Sequence, residues 1–137
     1  MGLTRPKVAI LSAVELVTEK MPATIDAAAL CKMAERGQIT GGELDGPLAF
    51  DNAISMEAAR IKGIVSPVAG QADILVVPDI ESGNMLAKQL TFFEGGDGAG
   101  IVLGARLPII LTSRADPAST RLASCAIALL LVQAKRG

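Results

Sequence analysis

ADILVVPDIESGNMLAKQLTFF, residues 72–93, decides the fold. Ala72–Pro78, ADILVVP, is the clearest strand in the chain: a short, mostly apolar run. Gly83-Asn84 then leads into a helix over Met85–Phe93. A strand that is apolar throughout, rather than alternating, is covered on both faces. A helix directly after it points to a parallel sheet in an α/β layer architecture.

The flanking sequence keeps this alternation. Pro6–Ala13, PKVAILSA, reads as a buried strand. Pro22 and the Thr24–Asp26 region open a helix with Ile25, Ala28, Ala29, Met33 and Ala34 at helical spacing, ending at Gly37. Ile39–Phe50, ITGGELDGPLAF, contains three Gly and a Pro and predicts a strand interrupted by a bulge or turn. Asp51–Lys62 has Ala and Met at helical spacing and stops at Gly63. Ala99–Leu103 and Leu107–Thr112 are two further strands, split by Gly104-Ala105-Arg106. Asp116 is a suitable N-cap for a last helix with Pro117 in its first turn. That helix runs toward Lys135-Arg136, basic residues suited to a helix C-terminus. The expectation is a single α/β domain over residues 1–137, with a mostly parallel sheet and helices on both faces. The last helix carries LASCAIALLLVQA between Arg121 and Lys135, with no charge on any face. It is either sandwiched inside the domain or buried on a second face against another chain.

Composition narrows the chemistry. The chain has 137 residues, half of them apolar, and 20% charged, which excludes a disordered chain. It has no His, so His-based triads, His zinc sites and His acid–base chemistry are excluded. With no Trp or Tyr and three Phe, stacking on bases is not expected. Thirteen basic residues against 14 acidic give a net charge of −1, which draws no nucleic acid. Cys31 and Cys125 lack the close Cys or His neighbours of a zinc site and read as buried free thiols of a reducing compartment. The uncharged run Leu122–Ala134 falls short of the roughly 20 residues of a membrane span. The early apolar run AILSAV is soon followed by Glu15 and does not make a signal peptide. A cytoplasmic protein with no membrane contact is expected. GGDGAG fits no G-x-G-x-x-G register, and neither a P-loop nor a G-x-S-x-G elbow is present.

What remains is a set of polar residues at strand-to-helix junctions, where α/β sheets bind ligands. One corner follows strand 72–78: Asp79, Ser82, Gly83 and Asn84, with Lys88 one turn on. The other follows strand 107–112: Ser113, Arg114 and Asp116. Helix N-termini with Ser, Asn, Lys and Arg around them suit an anion. Equally, Ser82, Gly83 and Asp116 could serve only as caps. The functional expectation is that the two corners face one anion site.

These residues also carry a resemblance. VAGQADILVVPDIESGNMLAKQL (68–90), followed by GIVLGARLPIILTSRAD (100–116), resembles the C-terminal part of the phosphate acetyltransferase/phosphate butyryltransferase family. The shared pattern is a strand ending in Pro-Asp, then Gly-Asn, then Lys, then a second strand ending in Ser-Arg. DGPLAFDNAIS (45–55) agrees, and the short, butyryltransferase-like branch is most similar. That family is about twice as long, so the resemblance implies a C-terminal piece lacking most of a first domain, weakly active or inactive alone.

The resemblance further implies a phosphate acyltransferase, moving an acetyl or butyryl group between coenzyme A and inorganic phosphate and giving acyl phosphate and free CoA. The implied fold is isocitrate/isopropylmalate dehydrogenase-like, with two α/β domains around a cleft, usually in a homodimer. Coenzyme A is a substrate; no tightly bound cofactor and no metal are implied. Ser113 would donate to the oxyanion or phosphate, and Arg114 would bind phosphate. Asp116, the nearest carboxylate to that pair, is the candidate base; acetyltransferase-type members carry their catalytic Asp several residues farther on, where this chain departs with Thr120. Asp79, Gly83, Asn84 and Lys88 would bind substrate. A non-catalytic module that holds CoA or phosphate is the alternative. A decarboxylating-dehydrogenase-like oxidoreductase would want clustered metal-binding Asp and a substrate Tyr or Lys; this chain has no Tyr and scattered acids.

Overall fold

The computed structural model describes residues 2–134. Contacts divide the chain into two compact units, one ending at Asn84 and one beginning at Met85.

The first unit is built on a three-stranded parallel sheet in the order β2-β1-β3. Its strands are β1 (Lys7–Leu11), β2 (Glu43–Leu48) and β3 (Ile74–Val76). Helix α1 (Pro22–Glu35) connects β1 to β2, with Pro22 in its first turn, where a missing N–H costs nothing. The β1–β2 register slips between Ala9 and Leu11, which pair with Asp45 and Leu48. One extra residue on β2 is the bulge that the Gly- and Pro-rich sequence predicts. Ala9, Ile10 and Leu11 of β1 are buried, with Ala27, Leu48, Ala53, Ala59, Val68 and Ala69 around them. Alanine dominates this core, so helices and sheet approach closely.

The predicted helix over 51–62 is two helices, α2 (Phe50–Ile54) and α3 (Met56–Ile61). Ser55 breaks them: its backbone is extended and its side chain accepts from the Ala58 N–H, capping α3. The helix after β3, α4 (Ile80–Phe92), begins earlier than the predicted Met85, because Asp79 caps it.

In the second unit, the strands expected at 99–103 and 107–112 are short and do not extend a parallel sheet. They are β4 (Ile101–Val102) and β5 (Ile109–Ile110), paired antiparallel through Ile101–Ile110 and Val102–Ile109. The connection between them is too short for a parallel crossover, which takes about a dozen residues or more. Helix α5 (Ala118–Ala134) packs on this ribbon. The buried Ser124 hydroxyl accepts from the Gly100 N–H at 2.9 Å and donates to the Thr120 carbonyl at 2.7 Å.

Helix α5 is not sandwiched among the described residues. Leu122, Leu129 and Leu130 are 73%, 65% and 57% exposed. Cys125 shares that exposed face, against the expectation of a buried thiol, while Cys31 on α1 is half-buried. Both cysteines are free. The basic pair Lys135-Arg136 lies outside the described residues.

Candidate functional site

In the first unit β1 is central: the chain leaves it for β2 on one side and returns to β3 on the other. This reversal is a topological switch point, and in α/β sheets ligands bind outside the carboxyl ends of the strands at such a point, here those of β1 and β3. Ile10 pairs with Val76, so the segments starting at Ser12 and Val77 leave the sheet side by side.

Val77 leads to Asp79, whose carboxylate accepts from both the N–H and the hydroxyl of Ser82, each at 2.7 Å. These bonds hold the Asp79 carboxyl below the ordinary carboxylate range. The Gly83 N–H donates to the Asp79 carbonyl at 3.1 Å. A Cβ on Gly83 would come within 2.8 Å of Val77 Cγ2, so the glycine lets the first turn of α4 close on the end of β3. Asp79, Ser82 and Gly83 therefore satisfy one another as a cap. Asn84 is exposed, and its side chain enters no hydrogen bond among the described residues. Lys88, one turn farther along α4, is exposed and has no carboxylate partner among them.

In the second unit Ser113–Asp116 is a tight turn. The Asp116 N–H donates to the Ser113 carbonyl at 3.1 Å, and the Asp116 carboxylate accepts the Ser113 N–H at 2.6 Å. Asp116 was expected to cap the last helix. Its carboxylate turns back to Ser113 instead, and α5 starts at Ala118. Arg121 reaches back to donate to the Asp116 carbonyl at 3.0 Å. The turn is thus tied at both ends and presents the Ser113 hydroxyl and the Arg114 guanidinium to solvent. Arg114 has no carboxylate partner among the described residues. A hydroxyl donor beside an unpaired guanidinium can hold an anion.

Asp79–Asn84 belongs to the first unit and Ser113–Asp116 to the second, while Lys88 lies on the stretch of α4 counted with the second. Among the described residues no group of three or more Cys, Asp or Glu could hold a metal ion. No helix there is long and apolar enough to cross a membrane.

A third cluster, at the carboxyl edge of the sheet, escaped sequence reasoning. Lys62 Nζ donates to Glu15 at 2.8 Å and to Asp51 at 3.0 Å. Asn52, fully buried, donates through Nδ2 to the same Glu15 oxygen, and its Oδ1 has no partner. Lys62 holds both carboxyls below their ordinary values, and they in turn raise Lys62. Glu15 and Lys62 lie 47 residues apart, so no local spacing announces them. The only available signal was positional: Glu15 and Asp51 each follow shortly after a strand.

The sequence profile of the family described as phosphate acetyl/butaryl transferase matches residues 1–129. The chain is 73% identical over 135 residues to a phosphate acetyltransferase of Rhizobium meliloti, covering 98% of this chain and 43% of that protein. It is 50% identical over 130 residues to a phosphate butyryltransferase of Clostridium acetobutylicum, covering 95% and 43%. The crystal structure of a branched-chain phosphotransacylase from Enterococcus faecalis V583 superposes with a TM-score of 0.79 at 40% identity, over 93% of this chain and 46% of that one. The chain thus spans under half the length of these relatives.

Proposed function

Because the chain belongs to the phosphate acetyl/butyryl transferase family, we propose that the intact protein moves an acyl group between coenzyme A and inorganic phosphate. The observation that carries this reading is the 73% identity to a phosphate acetyltransferase across nearly the whole chain. The exposed hydroxyl–guanidinium pair of the 113–116 turn supports it.

The chemistry assigns three tasks. A phosphate oxygen attacks the thioester carbonyl, a C–O bond forms, the C–S bond breaks, and the thiolate leaves with the proton that phosphate gives up. Arg114 clamps the phosphate, since a guanidinium matches two phosphate oxygens at once. Ser113 donates its O–H to the tetrahedral oxyanion or to phosphate. Asp116 carries the proton: it accepts it from the nucleophile and returns it to the thiolate, or the reverse when the thiol attacks. Its bond from the Ser113 N–H occupies one oxygen and leaves the other for this work. Asn84 and Lys88 bind substrate from α4, whereas the bonds of Asp79 and Gly83 make them supports of that helix end.

The two-domain architecture around a cleft, like that of isocitrate and isopropylmalate dehydrogenases, belongs to the same reading, as does a homodimer. The exposed apolar face of α5 supports the latter. The test is direct: purified intact protein, supplied with acetyl-CoA or butyryl-CoA and phosphate, is assayed for free thiol and acyl phosphate. Release of thiol without acyl phosphate would make the acceptor water and overturn the phosphate transfer, whereas binding of CoA with no turnover would favour the non-catalytic module.

A further inference from the structure

We propose that Lys62 is a positioning residue that holds the β1–α1 loop at the carboxyl end of the sheet, and that the part of the loop it holds meets the CoA thioester. This rests on the acyltransferase reading above.

The loop, Ser12–Met21, leaves the carboxyl end of the central strand beside the exit of β3. Its two ends are fixed by hydrogen bonds. The Ser12 N–H donates to the Leu48 carbonyl at 2.9 Å. At the other end the buried Thr24 hydroxyl accepts the Thr18 N–H at 2.9 Å and lies 2.8 Å from the Met21 carbonyl. The middle, Ala13–Val17, has no such backbone ties among the described residues. Its apolar side chains anchor it only in part: Val14 is half-buried, but Leu16 and Val17 are 79% and 58% exposed. Its polar tie is the Glu15 carboxylate, gripped by Lys62 and the buried Asn52 amide. Lys62 is itself braced from the far side by Asp51 in the first turn of α2.

The chemistry of the held segment selects the substrate part. Leu16 and Val17 offer no donor to phosphate. They suit the acyl chain and the thioester arm, which an apolar surface can cover. Releasing Glu15 therefore weakens thioester binding and leaves the phosphate clamp alone.

The experiment uses the intact protein with Lys62→Met, Lys62→Arg and Glu15→Gln. Amide exchange read by mass spectrometry should speed up in residues 13–17 of Lys62→Met, relative to the wild type and to β1. In steady-state kinetics the KM for acyl-CoA should rise about fivefold or more, with kcat and the KM for phosphate within about twofold. Glu15→Gln, which removes the charge but keeps an acceptor for Asn52, should shift in the same direction. Lys62→Arg should restore both readouts. Unchanged exchange at 13–17 overturns the clamp, whatever the protein catalyses. Faster exchange with an unchanged thioester KM in an active enzyme overturns the positioning role. A wild type that makes no acyl phosphate overturns instead the reading on which the kinetic arm rests, while the exchange arm still decides the clamp.

Discussion

Replacing Arg114 by alanine in the intact protein isolates the phosphate clamp. Arg114 is exposed and has no carboxylate partner among the described residues. Truncating it therefore strands no opposite charge and opens no cavity, and the folded state should keep its stability within about 0.5 kcal/mol. The loss falls on the ligand. A charge-assisted hydrogen bond contributes roughly 1.5–3 kcal/mol, which converts to a rise of about ten- to 150-fold in the KM for phosphate. The KM for acyl-CoA should move by less than about threefold, because the thioester presents no phosphoryl group at the reacting end. The assay is acyl phosphate formation with each substrate varied in turn, beside a urea melt of the same preparation. Equal losses for both substrates, or a melt shifted by more than about 1 kcal/mol, would refute the reasoning by making Arg114 a structural residue.

Three further outcomes follow from the fold. Ser124→Ala leaves the Gly100 N–H without its acceptor next to a buried site, and should cost about 1–3 kcal/mol in a denaturant melt. Gly70→Ala would place a Cβ 2.6 Å from the Met56 Cα at a φ of +79°, and should cost about 2 kcal/mol or more by the same measurement. The Asp79 carboxyl lies below its ordinary 3.8 because Ser82 bonds its charged form, so its stabilisation is fully present above 3.8 and is lost as pH falls through the folded value. Melts across that acid range should be flatter for Asp79→Ala than for the wild type; parallel curves would show that the cap carries no proton linkage.

How much was legible in the sequence depended on whether the deciding force is local. The strand around Ile74–Val76 and the helix Pro22–Glu35 were readable because apolar spacing and Pro22 act within a few residues. The start of α4 was misplaced because Gly83 looked like a breaker, while the Asp79–Ser82 bond that starts the helix outweighs one glycine. The break at Ser55 was hidden because Ala and Met continue at helical spacing across it. The β4–β5 pairing could have been deduced from the brevity of the connection, had direction been weighed along with apolarity. The Glu15–Lys62–Asp51 cluster could not, since it joins chain segments that only the folded sheet brings together.

The two corners differ in what they leave available. After β3, the acidic and hydroxyl groups are consumed by capping, and what stays open is an amide and an ammonium on α4, Asn84 and Lys88. In the 113–116 turn the reverse holds: backbone bonds fix the loop, the Ser113 oxygen accepting from the Ala115 N–H at 3.4 Å, and leave its O–H donor and the guanidinium open. A preorganised donor set lowers a barrier only where water is kept out, because solvent competes for every hydrogen bond offered to the developing charge. Ser113 and Arg114 stand in solvent here. The chain thus supplies a rigid set of donors but not their enclosure, and the acyl transfer proposed for the intact protein needs further surface over this turn before those donors act at full strength.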